Sequence, residues 1–196
     1  MKNIILLVDR SGSMESILEA THEGLNGFIR NLDKDDEVTI YMFDDKFEID
    51  CLRKPIVEIG NVVIKPRGST ALIDAMCKAI DDIGLHFAKD GCRGDVVFVT
   101  VTDGIENSSH LFTWNDAQKR VSHQEDNYNW KFVYLGANQD AIATAAKMGV
   151  SANSAMTYGT SSGAIKATFD SLTVAVDTYS RTKSLSFSPE DRKKSA

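Results

Sequence analysis

The sequence is poor in the features that would commit it to several common chemistries. Cysteine occurs only as Cys51, Cys77 and Cys92, an odd and widely spaced set without a C-x-x-C pair. That excludes a disulfide framework and a cysteine-based zinc site, and fits ordinary cytosolic thiols. Basic residues form no run, and 22 Lys and Arg against 28 Asp and Glu leave a net charge of −6, so the chain has no stripe that could track a phosphate backbone. Nucleic acid is excluded as a partner on that ground. The apolar run Ile4 to Val8 is too short for a signal-peptide core and far below a membrane span, so the expected compartment is the cytoplasm, with no membrane partner. His22, His86, His110 and His123 show no metal-ligand spacing, and the glycines form neither a phosphate-binding loop nor a dinucleotide fingerprint.

What is present is a core. With 196 residues, 42% of them apolar and only three prolines, the chain can bury one well-packed interior but not two. One domain over residues 1–182 is expected, followed by a flexible Ser-, Lys- and Arg-rich tail over 183–196. Ile4 to Asp9 and Val96 to Thr102 are continuous apolar runs, the pattern of strands buried on both faces of a parallel sheet. Val38 to Phe43, a turn at Asp44-Asp45, and Lys46 to Leu52 read as a hairpin at the sheet edge. Apolar residues at three- and four-residue steps predict helices from Glu15 to about Lys34, from Thr70 through Ile83, and over Ile165 to Tyr179. Shorter helices are expected over Asn115 to Gln124 and Asp140 to Met148, with strands at Lys131 to Leu135 and Ala155 to Tyr158. This alternation predicts an α/β fold, a doubly wound and mostly parallel sheet with one antiparallel edge strand and helices on both faces.

In such sheets ligands bind beyond the carboxyl ends of the strands, where the strand order reverses. Two predicted strands run directly into aspartates, Asp9 and Asp103. After the first, Asp9-Arg10-Ser11-Gly12-Ser13 places a carboxylate and two hydroxyls on one short loop, and Gly12 lets the backbone fold tightly between the serines. Hard oxygen donors suit magnesium, manganese or calcium rather than zinc or copper. Hydroxyls are neutral, so two carboxylates at most balance a divalent ion, which can still attract an outside carboxylate.

Val8 to Met14 resembles the D-x-S-x-S signature of von Willebrand factor type A (vWA) domains. Gly68-Ser69-Thr70-Ala71-Leu72 is similar to the threonine segment that completes their metal ion-dependent adhesion site, and Thr100 to Gly104 to its strand-end aspartate segment. The likeness runs from the N-terminus to about Tyr179 and is nearest to compact stand-alone vWA proteins of bacteria and their phages. It implies a Rossmann-like vWA fold and a site in which Ser11, Ser13 and Thr70 bind one divalent cation directly, with magnesium favoured and manganese or calcium as alternatives. Asp9 and Asp103 would bind it directly or through water. It also implies a protein partner that offers an Asp or Glu to the ion, and no catalysis. Gly104-Ile105-Glu106-Asn107 departs from the commoner acidic continuation, which leaves Glu106 without an assigned role.

Blander accounts exist for the same residues. Ser11 and Ser13 could cap a helix start, and Thr70 is placed to cap the helix that follows it. Arg10, Glu15 and Arg67 read as solvated rim charges, and Asp44-Asp45 as turn chemistry. A magnesium-dependent phosphohydrolase could also use a strand-end aspartate, but its second carboxylate two residues on is here Ser11. A metal that only stabilises a scaffold is the third possibility.

Overall fold

The computed structural model describes residues 1–196. Six strands form one sheet in the order β3-β2-β1-β4-β5-β6, with β1 at Lys2–Asp9, β2 at Glu37–Phe43, β3 at Phe47–Pro55, β4 at Asp95–Thr102, β5 at Lys131–Ala137 and β6 at Ala155–Tyr158. All neighbours pair in parallel except β3, which runs antiparallel to β2 at the edge. The helices are α1 (Leu18–Arg30), α2 (Leu72–Asp90), α3 (Trp114–Tyr128), α4 (Ala141–Lys147), α5 (Ser162–Thr182) and α6 (Pro189–Lys194).

Period-two alternation along the central strands divides the interior into two layers. Ile4, Leu6 and Val8 of β1 point with Val97, Val99 and Val101 of β4 toward α1 and α5, where they meet Leu25, Phe28, Phe169 and Leu172. Ile5, Leu7 and Phe98 point the other way and meet Leu72, Met76 and Ile80 of α2 and Val121 of α3. Because both faces of β1 and β4 are covered, these strands need apolar residues at every position, which is why they read as unbroken runs. Helices α1 and α5 approach closely at Gly24, where an added Cβ would collide with the Phe169 ring.

The strand order reverses at β1, which has β2 on one side and β4 on the other. Asp9 closes β1 and Asp103 follows β4, so both strand-end aspartates stand at that switch point.

Several expected boundaries move. The helix predicted from Glu15 begins as a 3-10 turn over Gly12–Ile17 and becomes α-helical only at Leu18; it stops at Arg30. The stop is enforced by Asp36, wholly buried, which accepts the Asp33 N–H at 3.1 Å and the Lys2 N–H at 2.6 Å and so fixes the turn into β2. Helix α3 is longer at both ends than its apolar pattern suggested, and starts in a capping box between Thr113 and Asp116.

The flexible tail expected over 183–196 is instead folded onto the domain. Leu185 and Phe187 are buried in the α1/α5 layer, the Phe187 N–H donates to Asn153 O at 2.9 Å, and α6 starts with a Ser188/Asp191 capping box. Arg192 donates to the carbonyls of Ala152, Asn153 and Ala155, while the Gly159 N–H donates to Ser195 O at 2.8 Å. Two well-placed apolar side chains and a guanidinium that satisfies loop carbonyls outweigh the polar composition on which the expectation rested. No helix is long and apolar enough to cross a membrane.

Candidate metal centre

All five expected donor residues come together beyond the carboxyl ends of β1 and β4. Asp9 ends β1 with no solvent exposure; its Oδ1 accepts the Ser11 N–H at 2.6 Å and its Oδ2 accepts the Thr102 hydroxyl at 2.5 Å. Ser11 and Ser13 hydroxyls lie 3.1 Å apart, and Ser13 Oγ donates to Asp103 Oδ1 at 2.7 Å. Thr70 is buried, and a methyl group added to Gly104 would stand 2.5 Å from Thr70 Oγ1 and 3.2 Å from Asp9 Oδ2, so these two oxygens flank the same point.

The capping readings do not hold. Ser11 occupies the position before the 3-10 turn but makes no side-chain cap bond, and α2 starts at Leu72, with Ala71 rather than Thr70 before it and again no side-chain cap. The α2 amino end is satisfied from another segment: Glu106 accepts the Ile73 N–H at 2.9 Å together with the N–H groups of Ser108 and Ser109. Asn107 Oδ1 accepts the Thr70 N–H at 2.9 Å, and Thr70 O accepts the Asn107 N–H in return at 3.1 Å. The hydroxyls of Ser11 and Thr70 are therefore free of capping duty, and Glu106 gains the role that the sequence left open. Gly12, expected to be needed for the tight turn, has no positive φ, and a Cβ there would only touch Gly68 O at 3.5 Å.

Electrostatics set the character of the site. Burial pushes the Asp9 carboxyl up to about 6, against hydrogen bonds from Thr102 and Ser11 that lower it, and the nearby charge of Asp103 adds to the rise. Asp103 is also raised, chiefly by burial, with the Ser13 hydroxyl opposing. Arg10, which follows Asp9 directly, turns away and pairs with Asp44 and Glu48. Arg67 does the same. Arg10 is buried and so is not the solvated rim charge expected from the sequence, Arg67 stays about half exposed while pairing inward, and Asp44 is a buried acceptor rather than a simple turn residue.

Asp9, fully buried, and Asp103, partly buried, thus stand together without a Lys or Arg partner, and burying charge in that way is costly unless a cation compensates. No three His, Cys, Asp or Glu side chains converge anywhere, so a carboxylate- or thiolate-rich cage is not available. The candidate donor set is two carboxylates and three hydroxyls on the loop after β1, the segment leading into α2 and the turn after β4, all hard oxygens. These residues fit a divalent cation of the magnesium or calcium kind.

No family model matches the sequence, and no curated protein matches it. Among solved structures the chain is similar to the von Willebrand factor type A protein from Catenulispora acidiphila (TM-score 0.64, 15% identity, 89% of this chain and 42% of that one). It is also similar to proximal thread matrix protein 1 from the mussel byssus with a zinc-occupied MIDAS motif (TM-score 0.59, 15% identity, 90% and 44%). A third is the vWF domain of the type V pilus tip protein Mfa5 from Porphyromonas gingivalis (TM-score 0.63, 10% identity, 90% and 95%). The chain has the vWA fold. It spans less than half the length of the first two of these proteins and nearly the whole of the Mfa5 domain.

Within this vWA fold, sequence reasoning missed Thr102, Gly104, Glu106, Asn107 and Asp44. Thr102 carried a signal, since a hydroxyl stands directly before a strand-end aspartate and two residues from a glycine. The others act through partners more than 30 residues away, as in the Asp44–Arg10 and Glu106–Ile73 contacts, which no local pattern reveals.

Proposed function

We propose that this vWA-fold chain is a metal-dependent protein-binding module, in which a divalent cation held by Asp9, Ser11, Ser13, Thr70 and Asp103 takes up a carboxylate from a partner protein. The observation that carries the reading is the pair of carboxylates, Asp9 and Asp103, set among three hydroxyls with no basic side chain to neutralise them. A bound cation would supply a Lewis-acidic centre there. The chain's own groups do the rest: Thr102 and the Ser11 N–H orient Asp9, Ser13 aligns with Asp103, and Asn107 holds the Thr70 backbone. Magnesium is favoured, with manganese or calcium next, because every donor is a hard oxygen. Zinc belongs among the ions tried, since the mussel protein carries it in its own motif.

Three of the five donors are uncharged, so the two carboxylates at most balance the ion and a third can approach without repulsion from a net negative site. The chain as a whole carries −6, which calls for a partner whose Asp or Glu sits in a neutral or basic patch. A phosphohydrolase reading is less well supported, because Asp9, its nucleophile, is fully buried with both oxygens already engaged. Capture of partners from a lysate in magnesium and in chelator tests the proposal. Binding should vanish with chelator and with Thr70→Ala or Asp103→Ala, and replacing the partner's acid by its amide should match those losses. An interaction that persists in excess chelator and maps away from Asp9 would reject it.

A further inference from the structure

We infer that Asp44, at the tip of the β2–β3 hairpin, is a positioning residue for the metal site, holding the Asp9–Ser13 loop and the Thr70 segment in register through Arg10 and Arg67. The inference rests on the metal reading above. Asp44 has no exposed surface, and its Oδ2 accepts Nε of both Arg10 at 2.8 Å and Arg67 at 2.6 Å. Its Oδ1 accepts the Lys46 N–H at 2.6 Å, and its carbonyl accepts the Ala71 N–H at 3.0 Å. Arg10 stands between the donors Asp9 and Ser11; Arg67 precedes Thr70 by three positions. Glu48 closes the network from the open side, accepting Arg10 Nη1 at 2.8 Å and Nη2 of Arg67.

Backbone bonds follow the same lines. The Arg10 N–H donates to Phe43 O at 2.8 Å, the Arg67 N–H to Arg10 O at 2.8 Å, and the Gly12 N–H to Gly68 O at 3.2 Å. One carboxylate therefore ties three chain segments together, two of which carry the donors. Charge-assisted bonds to a planar guanidinium fix direction as well as distance, so the clamp sets how the two donor segments face one another. Groups that orient metal ligands in this way typically govern metal affinity by about ten- to a hundred-fold.

At Arg67 the clamp makes a prediction opposite in sign to a simple field effect, whereas at Asp44 the two agree in sign. Arg67 is half exposed and its replacement by glutamine removes a positive charge near the site, which by electrostatics alone should strengthen cation binding. The clamp predicts the reverse. Manganese titration calorimetry should show Arg67→Gln and Asp44→Asn each weakening binding by about ten-fold or more. Amide hydrogen exchange on chelator-treated protein should show the Gly12 N–H and the backbone N–H at position 67 exchanging about ten-fold faster in both variants, each relative to its residue's intrinsic rate. Cys51→Ala, which loosens the packing of the same hairpin away from the clamp, should leave both readouts near the wild-type values. Should Asp44→Asn fail to fold, Arg67→Gln at the open end of the network carries the test. Manganese affinity in Arg67→Gln equal to or tighter than wild type, with both amides as protected as before, overturns the inference; so does an equal loss in Cys51→Ala. A wild-type protein that takes up no manganese overturns the metal reading itself, and the exchange data, recorded without any ion, keep the two failures apart.

Discussion

The Thr102 hydroxyl donates to Asp9 Oδ2 at 2.5 Å and accepts the Gly104 N–H at 3.0 Å, so the last residue of β4 fixes the carboxylate that ends β1 and starts the turn that follows Asp103. Thr102 has no exposed surface, and valine copies its shape without its hydroxyl. Thr102→Val should cost roughly 2 kcal/mol, the usual loss when a hydrogen bond to a charged group goes and a buried donor is left unmade. Manganese affinity should fall about ten-fold, because Asp9 loses the contact that orients it. Chemical denaturation and titration calorimetry on the same preparation check both. Unchanged affinity in a folded variant would mean that the Ser11 N–H alone orients Asp9.

The raised Asp9 carboxyl makes a pH prediction for chelator-treated protein. A group with a folded-state pKa above its unfolded value stabilises the fold fully below the unfolded value, and that contribution is lost as pH rises through the folded value, here about 6. The difference of about two units corresponds to on the order of 3 kcal/mol. Asp103, also raised by burial, acts in the same direction, while carboxylates held low by arginine, such as Glu48, act oppositely at acid pH. The informative quantity is therefore the difference between wild type and Asp9→Asn. Thermal melts in chelator from pH 4 to pH 8 should show the variant gaining on wild type as pH rises through about 6, and manganese uptake by wild type should weaken as pH falls through the same range. Parallel stability curves across that window would show that Asp9 is not the strained group.

The sheet, its switch point and the meeting of Asp9, Ser11, Ser13 and Asp103 beyond the strand ends were legible because these residues sit where local pattern and tertiary position coincide, while Thr70 was placed beside them by the family resemblance. Apolar runs mark strands buried on both faces, and the aspartates mark their ends. Asp44 and Glu106 were not legible for the converse reason: each is a polar residue in a loop, and its meaning comes from a guanidinium or a helix end brought to it by the fold. Arg10 was misread because a charge beside a polar loop is usually solvated, whereas here Asp44 and Glu48 draw it inward. The C-terminal segment was misread because Leu185 and Phe187 are two apolar residues in a polar stretch, and composition averages them away.

Glu106 holds the α2 amino end and, with Asn107, the Thr70 segment. Glu106→Gln should lose about 1 kcal/mol or somewhat more, since a neutral amide replaces a carboxylate facing a helix amino terminus and several N–H groups. Asn107→Ala removes the acceptor of the Thr70 N–H and should lower manganese affinity more than it lowers the melting temperature. A variant pair with the opposite ranking would place Asn107 in fold maintenance and not at the site.

The packed C-terminal segment predicts a stability effect where a loose tail predicts none. Phe187 is 6% exposed among Leu185 and the α1/α5 layer, so Phe187→Ala should cost roughly 3 kcal/mol and lower the melting temperature by several degrees. Arg192→Ala should cost less, because two of the three carbonyls it satisfies, those of Ala152 and Asn153, belong to exposed residues. Melting temperatures within a degree of wild type for Phe187→Ala would restore the tail to the status that its composition suggested.

The two glycines nearest the donors should respond in opposite ways to alanine. At Gly12 a Cβ meets only Gly68 O at 3.5 Å, an ordinary contact, and the backbone there has no positive φ, so Gly12→Ala should fold normally and bind manganese within a few-fold of wild type. At Gly104 the same methyl would stand 2.5 Å from Thr70 Oγ1 and 3.2 Å from Asp9 Oδ2. Thr70 cannot simply retreat, because Asn107 and Ser108 bind its backbone on both sides. Gly104→Ala should therefore displace the Thr70 hydroxyl, cost about 1–3 kcal/mol through overpacking, and weaken manganese binding by about a hundred-fold. Titration of both variants beside wild type decides the matter. Equal affinities for Gly12→Ala and Gly104→Ala would show that the Thr70 hydroxyl does not stand against Gly104 in the ion-bound protein, and that the ion is held by the Asp9 loop and Asp103 without it.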